Sequence, residues 1–263
     1  MADPLLYMLA GLLVGLLIGL TGIGGGSIMT PILVFGFGQS PSIAVGTDLV
    51  LASITKLVAT GSLGFSHRID WQIVGRLALG SLPAAAVVVG WLYLSERAPV
   101  EVDHLIMRAL SITLLVTGCV LLFQPQIRRL GVRATAATLG RAQRLQPVLT
   151  VLAGILLGVA VTMTSVGAGA LGTVALLYLY PLRLTPDRLV ATDIAHALPL
   201  TLIAGVGHAA LGHVNVPMLG SLLLGSIPGV LIGTRGRIRL PRGALRVLIA
   251  AMLIISGGRM LAA

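Results

Sequence analysis

Residues 9–27 read LAGLLVGLLIGLTGIGGGS, and residues 152–170 read LAGILLGVAVTMTSVGAGA. The two stretches lie 143 residues apart. In each, an apolar run long enough to be helical ends in a cluster of glycines and hydroxyl residues. Further along, AVGTDL (44–49) faces LVATDI (189–194), and LGSLP (79–83) faces LGSIP (224–228). Four landmarks in one order, at a nearly constant offset, indicate an internal duplication. The halves expected from it are residues 1–123 and 147–263, joined by a basic linker at 124–146.

The duplicated unit belongs in lipid. Of the 263 residues, 56% are hydrophobic and 10% charged, against about 25% charged in soluble domains. Mean hydropathy is +1.02. Apolar runs occur at about 5–37, 43–65, 72–94, 104–123, 147–180, 187–211, 216–234 and 243–262, and about 20 such residues cross a bilayer. The first and fifth runs are too long for one span and are broken by glycine. The net charge of +10 does not indicate nucleic acid, because the arginines sit in short connections where they set membrane orientation. The single cysteine, Cys119, allows no intrachain disulfide. The start Met-Ala-Asp-Pro lacks a basic leader and is read as part of the mature chain.

Charge then orients the chain. The linker carries Arg128, Arg129, Arg133, Arg141 and Arg144 and is expected in the cytoplasm. Counting spans backwards puts Glu96, Glu101 and Asp103 outside and His67, Arg68 and Arg76 inside. If 147–180 enters and returns at its glycines, the arginines of RGRIRLPR (235–242) also lie inside, with Arg183 and Arg188. The same hairpin at 5–37 puts the N-terminus outside. The expected fold is therefore an all-α polytopic membrane protein of two inverted repeats, each a glycine-broken helical hairpin plus three transmembrane helices. A parallel repeat of eight simple spans is the alternative.

Few residues can carry chemistry. Asp48 and Asp193 occupy matching places in apolar runs, each after a threonine (Thr47, Thr192). An acid at mid-bilayer costs about 2.5–3.5 kcal/mol, so it either lines a pathway or caps a helix near the interface. Lys56 is the one lysine, well inside a run, and its repeat equivalent is Thr201. It either attracts an anion or snorkels to an interface. His196 follows Asp193 by three residues, on the same helical face. The two could relay protons, or the histidine could simply be packed. His208 and His213 are expected at an interface. Glycine clusters release backbone N–H groups from a helix, and such donors can hold an anion. That makes Thr21, Gly22, Gly24, Gly25, Gly26 and Ser27, with Thr164, Ser165, Gly167 and Gly169, candidate substrate-binding residues beside Lys56. Asp48, Asp193 and His196 are the candidate proton-coupling residues. Close helix packing is the other reading of the glycines. TGIGGGS lacks the Gly-Lys-Ser/Thr ending of a nucleotide loop. The residues suggest no catalytic set, metal site or cofactor.

GLTGIGGGSIMTPIL (19–33), AVGTDL (44–49) and their echoes at 162–170 and 189–194 resemble the TauE/SafE family of sulfite-exporter-like transporters. The second cluster departs from the pattern, with Ser165 and Ala168 in place of glycines and no proline matching Pro31. The resemblance implies secondary transport of a small sulfur-containing anion (sulfite, a sulfonate or sulfoacetate) across a bacterial inner membrane, driven by protons. The expected partners are that anion, protons and the bilayer, with no nucleic acid; a homo-oligomer is left open. An anion channel on the same scaffold is the nearest alternative. An intramembrane enzyme or a non-transporting scaffold would need features the sequence does not offer.

Overall fold

The computed structural model describes residues 3–21, 26–63, 68–95, 99–137, 141–235 and 242–262. Side chains of 21, 26, 27, 61–63, 99, 134–137, 141–144, 235 and 242 are outside that description. The described residues form eleven α-helices: α1 (Pro4–Thr21), α2 (Gly26–Pro31), α3 (Pro41–Leu63), α4 (Trp71–Leu94), α5 (Pro99–Leu122), α6 (Gln124–Ala137), α7 (Arg141–Thr164), α8 (Ala170–Leu179), α9 (Pro186–Ala210), α10 (Val216–Arg235) and α11 (Arg242–Ala262). A π-helical turn, Ile32–Gly36, continues α2.

Seven of these helices, α3, α4, α5, α7, α9, α10 and α11, are long and apolar enough to cross a membrane. Their large outward apolar residues, such as Leu79, Leu156 and Leu224, have lipid as their natural solvent. On α4, exposed Trp71 stands at one end and Trp91 with Tyr93 near the other. Twenty residues of helix measure about 30 Å, the thickness of a hydrocarbon core whose borders favour such rings.

The two glycine-broken runs are hairpins. After α1, the chain returns through α2 and the π-helical turn until Phe37 stacks on Tyr7, with ring centroids 4.3 Å apart. After α7, it returns through α8 until the Tyr180 hydroxyl meets Thr150 Oγ1 at 2.7 Å. Each return limb is about 15 Å long, half a bilayer. The basic segment 124–146 is largely helical: it supplies α6, against whose Gly131 the Tyr178 backbone packs, and the first turns of α7.

Two seams of glycine hold the bundle. Gly11, Gly15 and Gly19 of α1 lie in order against the backbone of Leu222, Ser226 and Val230 of α10, so these helices run parallel. Gly154 and Gly158 of α7 lie in order against Leu77 and Ser81 of α4, again parallel. A Cβ at any of these glycines would run into a carbonyl oxygen. Without a hydrophobic drive inside lipid, backbone approach of this kind supplies the dispersion and Cα–H···O contacts that join helices. Between the seams, α3 and α9 run antiparallel, with Gly46 against His213 and Gly205 against Val50. They are the most enclosed spans, 67% and 61% buried against 28–44% for the others. On a further side α5 and α11 pack antiparallel, through Gly118 on Ala250 and Gly257 on Ser111.

Candidate functional site

The two threonine–aspartate pairs sit on the enclosed helices α3 and α9, and each pair does the same two things. The threonine turns to a loop. Thr47 Oγ1 accepts from the amide of Asn215, just before α10, at 3.1 Å, and Thr192 Oγ1 accepts from the amide of Asp70, just before α4, at 3.1 Å. The aspartate turns to a return limb. Thr30 of α2 donates its hydroxyl to Asp48 Oδ2 at 2.6 Å, and Thr173 of α8 donates to Asp193 Oδ2 at 3.4 Å. Gly172, one residue earlier, leaves the space Asp193 Oδ1 occupies; a Cβ there would collide with it.

Neither aspartate caps a helix. Asp48 lies well inside α3, and Thr185 is the N-cap of α9. Both carboxylates are buried, 1% and 2% exposed, so the capping alternative gives way to an interior position.

Lys56, two turns beyond Asp48, does not snorkel. It is buried, and its Nζ donates to the carbonyl oxygen of Ala168, in the break between α7 and α8, at 2.7 Å. The ammonium lies within electrostatic reach of Asp193, Asp48 and His196. The centre of the molecule thus holds one cation and two carboxylates. A buried charge set of this kind persists only when its members neutralise and hydrogen-bond one another.

The second glycine cluster differs in detail from the expected row of free amides. Ser165 has φ of 57° and Gly167 φ of 106°, the left-handed turn that breaks the helix. The amides of Ser165, Val166 and Gly169 are taken by Val161 O, Thr164 Oγ1 and Gly167 O. Thr164 gives its hydroxyl to Ala160 O at 2.6 Å. Toward Lys56 the break presents a carbonyl. Ser165 Oγ is buried without a hydrogen bond of good geometry, although it approaches the Asp48 carboxylate.

Of the first cluster, Gly22, Gly24 and Gly25 lie outside the described residues. So do the side chains of Thr21 and Ser27, whose backbones, with that of Gly26, belong to α1 and α2. Arg237 and Arg239 fall outside as well, and so do the side chains of Arg235 and Arg242. His196 is buried and bonds through Nε2 to Ser81 Oγ of α4 at 2.8 Å, so its partner is Ser81 and not Asp193. His208, expected at an interface, is fully buried. Its Nε2 meets Thr162 O at 2.9 Å and its Nδ1 faces His213 at 3.3 Å. Sequence reasoning missed Thr30, Thr173, Gly172 and Ser81. For two of them the sequence held a signal, because the 143-residue offset that aligns the glycine clusters also aligns Thr30 with Thr173.

A comparison with protein families matches residues 7–260 to "Sulfite exporter TauE/SafE". The chain belongs to the TauE/SafE family. This TauE/SafE chain is 38% identical over 250 residues to "Probable membrane transporter protein YjnA" of Bacillus subtilis, covering 95% of this chain and 96% of that protein. It is 24% identical over 260 residues to "Probable membrane transporter protein YdhB" of the same organism, covering 96% and 98%. No solved structure matches it. As a TauE/SafE protein it is a multi-pass membrane protein of a transporter family, not an enzyme.

Proposed function

We propose that the chain is a secondary active transporter that moves a small sulfur-containing anion of the sulfite, sulfonate or sulfoacetate class across the bacterial inner membrane, coupled to protons. The observation that carries this reading is the central constellation of Lys56 between Asp48 and Asp193, beside the helix break at 165–169. The ammonium supplies the attraction for an anion. Thr30, Thr173 and Ser165 supply hydroxyls, and the aspartates, with His196, supply groups that can exchange protons. The two carboxylates discourage an anion while both are charged, and this links its entry to proton uptake. The step from anion to sulfur oxyanion rests on the family.

We further infer that the halves, 1–123 and 147–263, are inverted repeats joined by a cytoplasmic segment at 124–146. Contacts recurring at the 143- to 145-residue offset support this: Gly11 on Leu222 and Gly154 on Leu77, Thr30 on Asp48 and Thr173 on Asp193, Thr47 on Asn215 and Thr192 on Asp70. The opposed directions of α3 and α9, and of α5 and α11, support inversion over a parallel repeat. Rocking of one half on the other about a central site is the motion such a plan allows. Trp71 and Val216 are exposed, equivalent positions at the starts of α4 and α10. After Cys119→Ser, single cysteines in their places are expected to react with an impermeant maleimide from opposite sides of the membrane. Labelling of both from one side would replace the inverted plan with a parallel one.

Transport itself is tested with purified protein in liposomes. Protein-dependent flux of labelled sulfite, methanesulfonate or sulfoacetate is expected, accelerated by an imposed pH gradient at fixed membrane potential. Flux that ignores the pH gradient and follows the potential alone would favour an anion channel. No flux of any of these anions would overturn the substrate class.

A further inference from the structure

Away from the centre, a cavity of about 390 Å³ opens where α4 and α7 begin and α8 gives way to α9. Its wall includes Arg76, Arg183, Gln72, Gln146 and Tyr180. The two arginines are in different situations. Arg183 is committed: its Nε and Nη2 donate to the two oxygens of buried Asp70 at 2.8 and 2.9 Å, and Nη2 also donates to Gln72 Oε1 at 2.8 Å. Arg188 joins the same carboxylate at 3.5 Å. Arg76 has no carboxylate within 4 Å among the described residues. Of the five N–H groups a guanidinium carries, one is used among the described residues, donating from Nη1 to Tyr180 Oη at 3.4 Å.

Arg76 is nevertheless held. Thr150 Oγ1 donates to Gln146 O at 2.6 Å, which leaves the Tyr180 hydroxyl to donate to Thr150 at 2.7 Å. The Tyr180 oxygen is then free to accept from Arg76. The tyrosine is 2% exposed, and its ring lies under the Arg183 guanidinium, 5.9 Å from centroid to Cζ. A buried chain of hydrogen bonds therefore fixes a half-buried arginine at the rim of a cavity, with most of its donors unspent and no acid to answer it among the described residues. A planar, pre-positioned fork of this kind matches a tetrahedral oxyanion. The lining is amphipathic in the way a headgroup site requires. Leu182 on the cavity wall is 72% exposed, and Val148 and Leu152 continue an outward apolar strip along α7.

We propose that this cavity is a binding site for a tetrahedral oxyanion, the phosphate of an anionic phospholipid or a free oxyanion of the same geometry, with Arg76 as its principal ligand. Basic pockets between helices on the side facing the anionic leaflet suit such headgroups. The site is separate from the central constellation, so its failure would leave the transport reading untouched, and the reverse.

The test uses delipidated full-length protein in detergent, titrated with cardiolipin, phosphatidylglycerol, phosphatidylcholine and sodium sulfate. Native mass spectrometry and melting temperature are the readouts. Arg76→Gln is expected to weaken binding of the anionic lipids about tenfold, with phosphatidylcholine inert. Arg128→Gln, an exposed arginine on α6, controls for general charge and is expected to bind as wild type. Stabilisation by sulfate that is lost in Arg76→Gln, with lipid binding unchanged, would assign the site to a free oxyanion. Tyr180→Phe keeps the ring and removes the hydroxyl that positions Arg76. It is expected to weaken binding by a smaller factor and carries the test if the arginine variant misfolds. Wild-type binding of every ligand by both variants, or an equal loss in Arg128→Gln, would overturn the proposal.

Discussion

Lys56→Gln is expected to abolish transport, lowering flux in liposomes by about 100-fold or more, the kinetic equivalent of some 2.7 kcal/mol. The ammonium is the one lysine charge in the chain. It is buried and bonded to the Ala168 carbonyl within reach of two buried carboxylates. Removing it takes away the cation that an anion would meet, and it leaves the Asp48 and Asp193 carboxylates buried without their cation. Breaking a buried charge set from one side costs about 3–5 kcal/mol, so the variant is expected to melt lower as well. The double variant Lys56→Gln/Asp193→Asn separates the two effects. It removes one negative charge along with the positive one and is expected to recover most of the lost melting temperature while remaining inactive. If flux returned together with stability, Lys56 would be a structural counter-ion and no part of the pathway. Wild-type flux in the single variant would remove it from the site altogether.

The second large effect concerns the seams. Gly15→Ala and Gly158→Ala each place a methyl group on a backbone carbonyl, Ser226 O and Ser81 O respectively. A side chain could rotate away, but a helical carbonyl cannot move without its helix. Overpacking in a tight core costs about 1–3 kcal/mol, and both substitutions are expected at or above the upper end. Thermal melting in detergent should fall by similar amounts for the two, since α1 on α10 and α7 on α4 meet in the same way. Gly75→Ala and Gly90→Ala are the comparison. Both glycines lie on α4 with nothing near the added Cβ, and there alanine is expected to be neutral or stabilising by up to about 1 kcal/mol. Equal melting of all four variants would mean that the seams are not close-packed.

These two results draw on different kinds of sequence legibility. The glycines of the seams, the broken hairpins and the two Thr-Asp motifs were readable because each is a local pattern and each occurs twice. What those residues touch was not readable. Asp48 finds Thr30 18 residues away, His196 finds Ser81 across 115, and Lys56 finds a carbonyl across 112. No periodicity encodes such separations. His196 followed Asp193 at helical spacing, which suggested a pair. The close approach of α4 at Ser81 gave the ring a nearer partner. His208 looked interfacial because it closes an apolar run, yet α7 covers it and offers Thr162 O. The linker segment contains the helix α6. Its amphipathic turn, with Ile127, Leu130 and Gly131 among the arginines, was legible in principle.

The seams also bear on how the protein is made. Gly11 meets Leu222, and Gly225 meets the Met8 carbonyl, so α1 receives its packing partner about 200 residues after it leaves the ribosome. At about 5–20 residues per second, that is a wait of some 10–40 s. During it, α1 lies in the bilayer with one flank of bare glycine backbone. α1 is therefore among the last helices to be locked, its packing unfinished until α10 has been threaded past it.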